Sequence, residues 1–291
     1  MHKEKPEAIL MLNSRCNAKC RHCYIPYKGE RDPEEALETT KKLMDNGYKV
    51  KFSGSENLLN PEYLKCYLEA GQDYILSNGI ILARKTDIFS RLKDHGIKMV
   101  ILSHNFDKIE SLDSVFGTIV GKAVENSITN GLKVRLSTLI SASNFTNVLD
   151  YCRMAREMGV SGIRFYRYMR IGNASIDRKL VIGKEQQEIF FELIQEARGW
   201  YAERELEINL AAGFDPMPGS KGEALSKENR FCPAGETLFA ITPDNKVYGC
   251  PFLIDEGMEI GRLIDYRIVV YKNEARRDSC IAFRRQASDG N

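Results

Sequence analysis

Cys16, Cys20 and Cys23 crowd into one short run, Cys16-Asn17-Ala18-Lys19-Cys20-Arg21-His22-Cys23-Tyr24. Three thiolates on one loop can each take an iron of a four-iron cubane, which leaves the fourth iron for a cofactor or substrate. Zinc is the plain alternative, but structural zinc sites use four ligands in paired spacing. His22 would have to be the fourth, and it is squeezed between Cys20 and Cys23. A second set, Cys232, Cys250 and Cys280, stands near the other end of the chain. Without a ligand these three would be buried core thiols, a common fate of free cysteine. Cys66 and Cys152 stand alone on predicted helices, Pro61–Ala70 and Thr146–Met158, where packing is their expected role. A donor of hydrogen atoms would have to face a cavity, which outer helices seldom do.

The elements that must position these thiols follow a regular beat. Five segments end in Gly47, Gly71, Gly96, Gly131 and Gly159, and each is followed by an apolar, strand-like run. Glycine just past a helix adopts the left-handed conformation that caps it. Asp32-Pro33 and Asn60-Pro61 each offer an N-cap with proline at the first helical position. The strands that fit are Ala8–Asn13, Lys49–Ser53, Asp73–Ser77, Lys98–Ser103, Lys133–Ile140 and Gly162–Arg167, with helices between them. Strand alternating with helix over six units predicts an α/β fold with a parallel sheet covered by helices, flat or partly closed. The Cys16–Cys23 loop then lies at the C-terminal end of the first strand, the end where such folds bind ligands.

After Arg167 the beat weakens. Lys184 to Glu203 reads as a helix, and Leu206–Leu210 as a further strand. Residues 213–230 are rich in Gly, Pro, Ser and charge and read as a hinge or gating loop. Residues 1–212 would form the main domain and 231–291 a small second unit. In that unit Thr237–Ile241 and Lys246–Tyr248 flank Thr242-Pro243-Asp244-Asn245, which predicts a β-hairpin.

Charge and hydropathy exclude several classes. The chain carries 42 basic and 40 acidic residues, a net +2, so nothing points electrostatically to nucleic acid or an anionic membrane. No apolar run approaches the roughly 20 residues that span a bilayer. The polar start Met1-His2-Lys3-Glu4-Lys5-Pro6 has no signal-peptide core, so a cytoplasmic protein is expected. Disulfides are uncommon there, which favours metal or catalytic roles for the clustered cysteines.

The spacing Cys-x3-Cys-x2-Cys followed by an aromatic residue resembles the signature of the radical S-adenosylmethionine (SAM) superfamily. The strand–helix beat is similar to that family's partial (β/α)6 barrel. The resemblance implies a [4Fe–4S] cluster on Cys16, Cys20 and Cys23 with SAM on the open iron. It implies reductive cleavage of SAM to a 5′-deoxyadenosyl radical, which abstracts hydrogen from substrate. Phe52-Ser53-Gly54-Ser55-Glu56-Asn57 is similar to the family's Gly-Gly-Glu motif, with Ser55 in place of one glycine and Glu56 as the carboxylate for the SAM ammonium. Leu76-Ser77-Asn78-Gly79 resembles its Thr-Asn-Gly turn. By the same resemblance Tyr24, Asn78, Ser103, Asn105, Arg135 and Ser137 are expected around SAM. Ordinary turn chemistry is the competing explanation for these polar residues.

Toward the C-terminus, the order Cys232, hairpin, Cys250-Pro251, Gly261-Arg262-Leu263, Cys280 resembles a twitch or shortened SPASM domain. That implies a second, auxiliary [4Fe–4S] cluster on Cys232, Cys250 and Cys280 in a small β-hairpin-plus-helix unit. Its fourth iron would be open or held by another group. Phe283 stands where a further cysteine would be expected. Family members of this type modify ribosomally made peptides or oxidise small molecules, and a peptide is the substrate first expected here. A small-molecule dehydrogenase and a non-catalytic iron–sulfur protein are the alternatives. Flavodoxin or ferredoxin is the implied electron donor. The run Arg164-Phe165-Tyr166-Arg167-Tyr168-Met169-Arg170 would alternate, with Tyr166, Tyr168 and Arg170 on one face and Phe165, Arg167 and Met169 on the other.

Overall fold

A computed structural model describes residues 5–20, 22–104, 119–172, 178–202, 204–211, 233–254 and 258–271. Asn105, Cys232, Cys280 and the 213–230 loop lie outside the described residues.

Eleven described strands form two sheets. One sheet holds β3 (Tyr74–Ser77), β4 (Met99–His104), β5 (Lys133–Ile140), β6 (Gly162–Arg167) and β7 (Glu207–Leu210) in that order, all parallel. The other runs β11 (Arg267–Val270), β10 (Gly261–Ile264), β9 (Lys246–Tyr248), β8 (Leu238–Ile241), β1 (Glu7–Met11) and β2 (Lys49–Ser53). The strands expected from the beat are present, and the architecture is a partial α/β barrel. β8 and β9 pair antiparallel as the predicted hairpin. β8 also pairs in parallel with β1, Ala8 opposite Phe239, so the C-terminal unit shares a sheet with the first barrel strand. The sequence alone pointed to no such pairing.

The seven described helices are α1 (Pro33–Asp45), α2 (Leu64–Glu69), α3 (Ile80–Arg84), α4 (Ile88–Asp94), α5 (Ile119–Thr129), α6 (Val148–Glu157) and α7 (Lys184–Trp200). α1 starts where Asp32 accepts the Glu34 and Glu35 amides at 2.9 and 3.1 Å, with Pro33 at the first position. That cap satisfies two of the donors a helix start leaves over. The predicted helix from Pro61 is broken: a single 3-10 turn over Pro61–Tyr63 precedes the short α2.

β2 and β3 share no strand ladder, and one side chain bridges the gap. Buried Gln72 accepts the Phe52 amide at 3.2 Å and donates to the Tyr74 carbonyl at 2.9 Å. A second buried side chain ties the hairpin turn to the barrel. The Arg31 guanidinium donates to the Thr242 carbonyl at 2.9 Å and to Asn245 Oδ1 at 2.7 Å, and pairs with Glu35.

Period-two alternation then sorts the strand residues. On β5, Val134, Leu136 and Ile140 join the core beneath the helices. Arg135, Ser137 and Leu139 occupy the other face, which lines the barrel interior. Cys66 and Cys152 are fully buried in the helix layer, and burial pushes both thiols up to about 12.

Candidate active site

An open cavity of about 250 Å³ lies over the C-terminal ends of the parallel strands. The loop after β1 contributes Cys16, Cys20, Cys23 and Tyr24, so all three cysteines of the run line one space. The end of β2 and the loop after it contribute Ser53, Gly54 and Ser55, and the end of β3 and its turn contribute Ser77 and Asn78. Ser103 of β4 and Ser137 of β5 complete a polar arc. Tyr24, Tyr166, Tyr168 and Met169 supply aromatic and apolar wall, and no Asp or Glu lines the cavity among the described residues.

The thiol loop fits an iron–sulfur cubane. Cys16 Sγ accepts the Ala18 amide at 3.4 Å and the Asn78 carboxamide at 3.4 Å. Among the described residues no three His, Cys, Asp or Glu side chains converge on one point as ligands of a single ion. A cubane asks for no such convergence, because each thiolate takes a different iron.

Glu56 is placed differently from its expected position. It is fully buried and lies behind the cavity wall rather than in it. Its carboxylate accepts the Ser77 hydroxyl at 3.1 and 3.2 Å and the Asn78 amide at 2.8 Å. Burial pushes its carboxyl up to about 7 despite those hydrogen bonds. Arg135 sits lower on β5, paired with Glu207 of β7 and away from the cavity wall. Ser103 and Ser137, side by side in the β4–β5 register, do line it.

The expected alternation past β6 does not hold. The strand ends at Arg167, and beyond it Tyr168 and Met169 are both buried and both line the cavity. Arg167 reaches the helix layer, donating to the Ile182 carbonyl at 2.7 Å and to Gln187 of α7.

Two contributors were missed in the sequence. Phe252, on the 3-10 turn after Cys250, lines the cavity and packs its ring 5.0 Å from that of Tyr24. Burial raises the Tyr24 phenol above its ordinary range, and Tyr166, Cys23 and Cys250 lie near enough to add to the rise. Cys250 itself is buried in a cluster with Met11, Met169 and Tyr248. The second contributor is Gly172, in the loop after β6. A β-carbon there would meet the Cys23 carbonyl oxygen at 2.6 Å. The Cys-Pro pair hinted at the first; no local signal marked the second.

No protein-family model matches the chain. It is 27% identical over 187 residues to the Fe-coproporphyrin III synthase of Methanosarcina barkeri, covering 59% of this chain and 46% of that one. It is 29% identical over 182 residues to the pre-heme d1 synthase of Dinoroseobacter shibae, covering 56% and 43%. The chain thus spans about half the length of these curated relatives. Among solved structures, SuiB of Streptococcus suis bound to precursor peptide SuiA superposes with a TM-score of 0.65 at 15% identity, covering 87% of this chain and 61% of that one. The anSMEcpe structure with bound AdoMet and the Cp18Cys peptide gives 0.62 at 16% identity, covering 88% and 76%. The chain is thus similar in sequence to these two synthases over a little more than half its length, and it shares its fold with SuiB and anSMEcpe.

Proposed function

We propose that this chain is a radical SAM enzyme, with a [4Fe–4S] cluster on Cys16, Cys20 and Cys23 and SAM in the cavity beside them. The observation that carries the reading is that those three cysteines line one cavity at the C-terminal mouth of a partial barrel. When bound, the cluster and SAM supply a 5′-deoxyadenosyl radical that takes a hydrogen atom from substrate. The chain's own part is to bind, orient and shield. Ser53, Ser55, Ser77, Asn78, Ser103 and Ser137 offer the polar atoms of the SAM site. Glu56 holds the Ser77–Asn78 turn from behind instead of meeting the SAM ammonium. Tyr24 and Phe252 form the aromatic wall that keeps water from the reacting carbon. Cys250, with Cys232 and Cys280, is the site for an auxiliary [4Fe–4S] cluster, and flavodoxin or ferredoxin is the class of electron donor.

For the substrate, the sequence relatives weigh more than the fold neighbours, whose identities are near one in six. A small molecule of the coproporphyrin and heme class is therefore the leading reading. A peptide is the second, favoured by the fold shared with SuiB and anSMEcpe, each crystallised with a peptide. Two measurements test the proposal. The electron paramagnetic resonance (EPR) signal of the reduced, reconstituted cluster is expected to change on adding SAM, and to be absent in Cys16→Ala, Cys20→Ala and Cys23→Ala. Formation of 5′-deoxyadenosine is expected to rise with an iron tetrapyrrole precursor of such a porphyrin and not with short peptides. The reverse pattern would reinstate the peptide.

A further inference from the structure

We infer that Asn78 is a tuning residue for the cluster, donating a hydrogen bond from its carboxamide to the Cys16 thiolate and raising the cluster's reduction potential. The inference rests on the cluster assignment above and adds a role that the motif does not give. Asn78 Nδ2 lies 3.4 Å from Cys16 Sγ and 2.8 Å from Asn17 Oδ1, so each of its two protons has an acceptor. Oxygen and nitrogen of an amide are told apart by their partners. Here Asn78 Oδ1 accepts the Ile80 amide at 3.0 Å, which fixes the NH2 end toward Cys16. The backbone is fixed as well, because the Asn78 amide donates to the buried Glu56 carboxylate at 2.8 Å. Gly79 follows at φ +83, a conformation that lets the turn close directly into α3. Asn78 is therefore held at its oxygen, its amide and its carboxamide nitrogen, and its donor has little freedom to leave the sulfur.

The physical consequence follows from charge. Reduction adds an electron to a cluster whose negative charge spreads onto its thiolates. A hydrogen bond to a thiolate stabilises the reduced form more than the oxidised form. Among the described residues the Ala18 amide also donates to Cys16, and no side-chain substitution removes it. Asn78 is thus a donor on this thiolate that the sequence can vary. A serine or threonine at position 78 would be too short to reach the sulfur from the same turn.

The test is the midpoint potential of the reconstituted full chain, read by EPR-monitored titration without SAM. Wild type is compared with Asn78→Leu and Asn78→Asp. Both variants are expected to titrate at lower potential than wild type, with unchanged iron content. Loaded variants that titrate together with wild type would overturn the inference while leaving the cluster assignment intact. A wild type that takes up no iron would overturn both. Should neither variant load, the readout passes to Asn17→Asp protein grown with asparagine labelled with 15N in its side chain, where position 17 keeps its acceptor and Asn78 is the labelled donor at Cys16. Pulsed EPR is then expected to show a 15N coupling to the reduced cluster, and its absence would overturn the inference.

Discussion

The α-carbon of Gly172 packs against the backbone of Cys23, so closely that a β-carbon would stand 2.6 Å from the Cys23 carbonyl oxygen and 2.9 Å from the Tyr24 carbonyl carbon. Gly172 also holds φ +61, a left-handed conformation that side chains other than glycine adopt at a cost of about 1–2 kcal/mol. The loop after β6 therefore braces the thiol loop from above. Gly172→Ala is expected to displace Cys23 and to lower the iron retained after anaerobic reconstitution. Far-UV circular dichroism should remain that of wild type. Iron content equal to wild type would show that the two loops do not depend on each other.

Glu56 gives a pH dependence with a definite sign. Its carboxyl is raised to about 7 in the folded chain against an ordinary value near 4.5, because burial disfavours the charged form. The folded state then holds the proton over a window where the unfolded state has lost it. Its contribution to stability is full below pH 4.5 and is lost as pH rises through 7, by up to about 3 kcal/mol. Glu56→Gln keeps an acceptor for Ser77 and Asn78 and removes the titration. Urea denaturation of the apoprotein should show wild type weakening from pH 5 to pH 8 relative to Glu56→Gln. Parallel pH profiles would contradict the assignment.

Arg31 joins the barrel to the C-terminal hairpin from a side chain with no exposed area. Arg31→Met leaves Asn245 Oδ1 without its buried donor and takes one of two donors from the Thr242 carbonyl, which keeps the Asn245 amide, a loss of about 2 kcal/mol. Glu35 is half-exposed and can turn to water, which holds the loss below that of breaking a fully buried pair. A shift of the urea midpoint with little change in slope is expected. No shift would mean that β8–β1 pairing alone secures the hairpin.

Cys66 and Cys152, both fully buried with thiols pushed up to about 12, are expected to bind no iron. Cys66→Ala and Cys152→Ala should reconstitute with the same iron and sulfide as wild type. Cys250→Ala should lose the share belonging to an auxiliary cluster. A fall in iron for either helix variant, at unchanged fold, would contradict that division.

The strand–helix beat was legible because each unit ends in its own local stop. Gly47, Gly71, Gly96, Gly131 and Gly159 all adopt positive φ, and that need is written in the residue itself. The gathering of three cysteines on one cavity was legible for the same reason: they lie close together in one short run. The break between β2 and β3 was not, because Gln72 acts through bonds to two separate strands and resembles any polar residue in sequence. Pairing of β8 with β1 joins residues far apart in the chain, as does Phe252 on Tyr24, and neither has a local mark. Glu56 shows the limit most clearly. Its carboxylate and its place after β2 were readable, but burial turned it from a cavity group into a support for Asn78.

The central claim is tested most directly by one anaerobic assay. The reconstituted full chain is given dithionite and SAM, and 5′-deoxyadenosine is measured beside iron and sulfide. Steady formation of 5′-deoxyadenosine is expected in wild type, and its loss in Cys16→Ala, Cys20→Ala and Cys23→Ala. Bound zinc in place of iron, with no 5′-deoxyadenosine formed, would contradict it.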